Sequence, residues 1–292
     1  MSRRSAGLLL VPGIALLAFG FVFPVCAMLL APPEGDAAGV AGRLGGMLTD
    51  GYVLSIALRT VRIGLITMLA SLLLGFPVAY AISRAPARRA GVLLALSTFP
   101  LLLSTVVRTY SWLVILGRNG LLSGVLTGLG ITAHPPQLLY TETAIVLGLV
   151  QLFTPLMILS CYGSLSQVDS RLEEAARGLG ASSGRAFRLV VLPMALPGVA
   201  VGSTLVFAGA VTAFTTPMLL GGTRQRTLAT LLYDYASVSL DWTSASAVAV
   251  FMTMIVLAVG VLTGRVGASR LGARRARKVP PATAGAAGEG AV

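Results

Sequence analysis

Residues 63–82 read IGLITMLASLLLGFPVAYAI, an unbroken run without a charged side chain. A helix crosses ~30 Å of hydrocarbon with about 20 apolar residues, so this stretch predicts a membrane span. Working outward, five further stretches have the same character: 7–30, 91–116, 143–162, 195–214 and 245–262. Most carry proline: Pro12 and Pro24, Pro77, Pro100, Pro155 and Pro197. Proline is tolerated within a span, because neighbouring helices can satisfy the freed backbone groups. The expectation is an all-α integral membrane protein with six transmembrane helices.

Composition agrees. Of 292 residues, 55% are hydrophobic and 11% charged, against roughly 25% charged in a soluble domain. Mean hydropathy is +0.87. A soluble globule must cover itself with polar groups, whereas a lipid-facing surface need not. The net charge of +12 does not read as nucleic-acid binding, because the basic residues sit between apolar runs. Stretch 7–30 follows Arg3 and Arg4, as a cleaved signal would. It is longer than the usual apolar core of a signal peptide and is expected to be retained.

Arginine placement gives an orientation. With the N-terminus inside, 15 of the 22 basic residues fall on inner segments and six on outer ones, with Arg108 inside the third span. The positive-inside rule then favours both termini inside. The expected organisation is a short N-terminus at 1–6, a membrane domain at 7–266, and a basic tail at 267–292 that becomes disordered. Outer loops fall at 31–62, 117–142 and 215–244, and inner ones at 83–90 and 163–194.

Chemistry-bearing side chains are sparse. Every acidic residue lies outside the spans, which argues against a proton-coupled carrier but leaves open one using backbone carbonyls. The chain has no P-loop, since its lone lysine, Lys278, precedes Val279. Cys26 and Cys161 lie in apolar runs and read as packing residues. His134 reads as a solvated loop residue. No catalytic group, metal site or cofactor site is expected.

The inner segment 167–193, QVDSRLEEAARGLGASSGRAFRLVVLP, is too long and structured for a simple linker. It reads as two short helices. Ser170 and Glu173 have the spacing of a capping box. Gly180 is the expected left-handed stop, Ser182 or Ser183 caps a second helix, and Pro193 marks the entry to the fifth span. Glu173 and Glu174 near the helix start, small Ala175 and Ala176, and a glycine turn suit close docking of a partner. An amphipathic hairpin resting on the membrane surface would have the same pattern.

Glu174-Ala175-Ala176, then Gly180, then Val190-Val191-Leu192-Pro193 resembles the EAA loop of ABC importer permeases, with Val190 in place of isoleucine. Other stretches are similar to the spermidine/putrescine-type branch: Val107–Trp112, Leu116–Gly120, Leu138–Glu142 and Phe214–Gly222. The resemblance runs from about Ser55 to Leu262. It implies a type I (MetI-like) permease fold in the bacterial inner membrane. It further implies two ATPase subunits, a second permease that is more often different than identical, and a soluble binding protein that delivers the solute. Glu173, Glu174, Ala175, Ala176, Gly180, Leu192 and Pro193 would then form the ATPase-coupling element. Glu174 would pair with a basic group on the ATPase. The solute would be a polyamine or a related amine or amino-acid-like compound.

Candidates for the solute path are Arg108, Tyr110, Trp112, Gln151, Thr154 and Thr212. An arginine inside a span either serves a path or snorkels to the interface. Tyr110 and Trp112 also suit an interfacial aromatic belt, and Gln151 and Thr154 suit bonding between helices. Glu142, Asp234 and Asp241 are candidates for a cation-attracting outer rim. The competing class is a gradient-driven carrier or channel that works without an ATPase.

Overall fold

A computed structural model describes residues 39–130 and 137–275, with a few residues between 12 and 23. All regular structure among the described residues is helical. The expectations for the span at 7–30, Cys26, His134 and the end of the tail lie largely or wholly outside these residues.

Helix α1 (Gly39–Thr49) leads to α2 (Gly51–Ser83), whose start is capped by Asp50 accepting from the Tyr52 amide at 2.8 Å. The loop expected up to residue 62 is helical from Gly51. Arg59 and Arg62 lower hydropathy there but are good helix formers. Val53, Ile56, Ala57 and Thr60 bury that first stretch of α2. Thr60 Oγ1 accepts from the Leu228 amide at 3.0 Å, tying it to α9. At 1.5 Å per residue the helix is about 50 Å long, more than the hydrocarbon needs.

The single third span expected at 91–116 is not one helix. Helix α3 (Ala87–Thr98) continues as a 3₁₀ turn (Phe99–Leu102), and α4 (Thr105–Leu116) and α5 (Leu121–Gly128) follow. The two halves meet at 88°. Pro100 removes a donor, and Leu103 takes an extended conformation (φ −78°, ψ 140°) that interrupts the ladder. Pro77, Pro155 and Pro197 lie within continuous helices.

Helix α6 (Glu142–Leu165) starts at Thr141, whose hydroxyl accepts from the Ala144 amide at 3.2 Å. The short α7 (Ser170–Gly178) follows. Helix α8 spans Ser183–Thr212 without a break, through Pro193. The second short helix and the fifth span are therefore one rod. A π-turn at Phe187–Val191 explains how, because its wider ring closes from the Leu192 amide to the Phe187 carbonyl just before the residue that has no amide to give. The expected outer loop at 215–244 also contains structure: a π-turn (Pro217–Gly221) and α9 (Leu228–Tyr233), which winds on as a π-turn (Asp234–Val238). Helix α10 (Trp242–Arg275) closes the described chain.

Helices α2, α6, α8 and α10 are each long and apolar enough to span a membrane, and the bent pair would make a fifth. Small residues permit their close approach. A Cβ added at Gly198 of α8 would come within 2.5 Å of the Ser160 carbonyl of α6. Around this contact Met157, Ile158, Cys161, Leu165, Ala195 and Ala79 pack into one part of the core.

Candidate functional site

The hairpin after α6 departs from the expected capping box. Asp169, one residue earlier than Ser170, is the N-cap and accepts from the Arg171 amide at 2.9 Å. That frees Glu173 to turn inward, where its side chain is only 6% exposed. It accepts from Arg177 Nη2 at 2.6 Å, Arg84 Nη2 at 3.0 Å and the Tyr80 hydroxyl at 3.3 Å. Burial alone would raise the Glu173 carboxyl. The Arg177 hydrogen bond and the Arg84 charge outweigh it and hold the group below its ordinary value.

The other face of α7 points away from the protein. Glu174 and Ala175 are exposed and Ala176 is half-buried. Leu172, Leu189 and Leu192 are exposed beside them, and Leu179 is 90% exposed. Pro193 is half-buried. The helix ends in a Schellman pair, with the Ala181 amide on the Ala176 carbonyl and the Gly180 amide on that of Arg177. Gly180 has φ +88°, and a Cβ there would meet nothing within 4 Å. The backbone conformation, not space, requires glycine.

The six path candidates do not converge on one place. Trp112 Nε1 donates to Gln151 Oε1 at 3.4 Å, joining α4 to α6. Thr154 donates to the Val150 carbonyl one turn back. Arg108 does not snorkel: it is 7% exposed and donates to the Leu103 carbonyl at 3.0 Å across the bend. Tyr110 is exposed. Thr212 lines a separate cavity of about 570 Å³, with Phe214, Tyr233, Ser237, Met252 and Thr253.

The rim carboxylates all have partners. Glu142 binds Arg59 Nε at 3.2 Å and also contacts Arg62. Asp234 pairs with Arg226 at 3.0 Å. Asp241 caps α10 by accepting from the Ser244 amide at 3.0 Å and hydroxyl at 2.6 Å, which lowers its carboxyl from the ordinary value. Among the described residues no cluster of metal-ligating side chains is present.

Sequence reasoning missed Tyr80 and Arg84. Their i, i+4 spacing at the C-terminal end of α2 puts both on one helix face, but nothing in the sequence says which element that face meets.

The family model for the binding-protein-dependent transport system inner membrane component matches residues 71–270. The chain belongs to this family. This inner-membrane permease is 35% identical to the spermidine/putrescine transport system permease protein PotB of Haemophilus influenzae over 63% of its own length and 64% of that protein's. To PotB of Escherichia coli it is 29% identical over 71% of its own length and 76% of that protein's. The fold is that of a bacterial alginate ABC transporter solved with its pentasaccharide-bound periplasmic protein. That likeness has a TM-score of 0.72 at 14% identity and covers 94% of this chain and 96% of that one.

Proposed function

We propose that this chain is one of two permease subunits of an ATP-driven importer, and that its solute is a polyamine of the spermidine or putrescine class. The relatives' polyamine names support the solute class. The observation that carries the mechanism is the outward face of the 167–193 hairpin. Glu174, Ala175 and the exposed Leu172 and Leu179 form an acidic and apolar surface on a turn fixed by Gly180. An exposed apolar patch of this kind on a rigid turn suits a protein partner. A groove in one of two ATPase subunits is that partner here, and Glu174 meets a basic group within it. A second, similar permease completes the pathway, and a soluble binding protein delivers the solute to the outer face. Both termini and the hairpin then lie on the cytoplasmic side, as the arginine distribution favours.

The test is the assembled importer reconstituted in liposomes with its ATPase, partner permease and binding protein. Glu174→Lys is expected to lower ATPase retention and ATP-driven spermidine uptake by about tenfold or more, within the usual range of coupling between sites. Full solute-stimulated hydrolysis with Gly180→Trp would overturn the coupling role. Uptake by the chain alone under an imposed ion gradient would favour the carrier reading instead, and mapping of the hairpin to the exterior would exclude ATPase docking.

A further inference from the structure

Glu173 and Arg84 are the centre of a contact that ATPase docking does not explain. Among the described residues Glu173 is the sole buried carboxylate. Its three donors come from α7 itself and from the last turn and cap of α2, so its oxygens face the protein and not a docked partner. Arg84 grips the hairpin twice. One nitrogen holds Glu173, and Nη1 donates to the Val168 carbonyl just ahead of α7 at 3.3 Å. The Arg84 guanidinium also lies 5.4 Å from the centre of the Tyr80 ring. Tyr80 in turn meets Phe187 of α8 edge-on, with ring centres 5.4 Å apart. The inner ends of α2, α7 and α8 are therefore locked at one point.

A buried ion pair is a poor way to add stability, because desolvation offsets its attraction. An apolar contact would hold α7 just as firmly but would let it slide. A carboxylate held by two guanidinium groups and a hydroxyl fixes direction as well as distance. Helix α2 runs unbroken from this point through the membrane to the Arg59–Glu142 pair. A displacement of α7 thus has a stiff route to the far side.

We infer that Glu173 is a positioning residue that ties the cytoplasmic hairpin to α2 through Arg84, and that it makes no contact with the ATPase. This rests on the proposed coupling role of the hairpin. It reassigns Glu173 from the docking set to the inside of the linkage, leaving Glu174 to face the partner.

The experiment uses the assembled importer with radiolabelled spermidine as probe. Glu173→Gln and Arg84→Gln should each retain the ATPase and its hydrolysis while uptake per ATP consumed falls about tenfold. The double variant should be no worse than either single one, since both remove the same link. Glu173→Asp should recover part of the loss. Spin labels at Val78 and Arg171, both exposed, should keep one fixed separation with and without ATP in the wild type and a broadened one in Glu173→Gln. Unchanged uptake per ATP, additive losses, or loss of the ATPase from Glu173→Gln alone would each overturn the linkage. Retention of the ATPase by Glu174→Lys would instead count against the docking role of the hairpin. The label separation lies within this one chain and is read independently of that result.

Discussion

Helix α2 and its C-cap hold a carboxylate of a neighbouring helix near each end, and the two pairings are built differently. At the C-terminal end the Glu173 side chain is 6% exposed and is held by groups from two elements. Nearer the N-terminal end Glu142 is 27% exposed, and its partners Arg59 and Arg62 both come from α2. Arg59 also reaches the carbonyls of Arg224 and Arg226, at 3.4 and 3.5 Å. The Glu173 carboxylate is desolvated and fixed, and the Glu142 one is wet and adjustable. The same chemistry therefore serves as a rigid joint on one side and as a tunable fastening on the other.

The comparison breaks first at Arg84. Arg84→Ala strips a partner from a buried carboxylate and should cost about 3 kcal/mol, the low end for such a loss because Arg177 and Tyr80 remain. Thermal unfolding in detergent would read this, and a negligible shift would make the two ends equivalent. Next comes Gly180, whose φ of +88° would cost alanine about 1 kcal/mol. The loss should appear in the unfolding temperature of the chain alone, without the ATPase. Smallest is Glu142→Gln, expected at about 0.5 kcal/mol and fading further in high salt. A salt-independent loss there would show that the Glu142 pair is dry as well.

Acid should sharpen the contrast. The folded Glu173 carboxyl sits below its ordinary value of 4.5. Its contribution is present above that value and is lost as the pH falls through the folded-state titration. A pH series of unfolding temperatures should decline on the acid side for the wild type and more shallowly for Arg84→Ala. Parallel curves would mean that Arg84 does not hold the group.

The sequence made the lipid-facing character of the chain plain, since no other solvent suits 63–82 or 143–162. It was silent where backbone geometry decides. Hydropathy runs smoothly across Pro100, so the bend between α3 and α4 was invisible. Arg59 and Arg62 interrupt hydropathy but not helix, so the first turns of α2 look like loop in the sequence. The cap of α7 was misplaced by one residue because aspartate and serine serve equally well there. Arg84, 89 residues from Glu173, decided which way that side chain turned. The solute path was the least legible part. Its polar candidates are few, and a threonine that bonds its own helix, as Thr154 does, looks the same in sequence as one facing a channel.

The widened turn at Phe187–Val191 has a consequence for the register of the machine. Because it carries one residue more than an ordinary turn, it sets how the N-terminal stub of α8 is clocked about the helix axis relative to the rest of the rod. Deleting a single residue there would rotate one against the other by about 100°. The stub would stay helical, yet Phe187 would swing off Tyr80. The phase of that rod is thus written in the five residues Phe187–Val191.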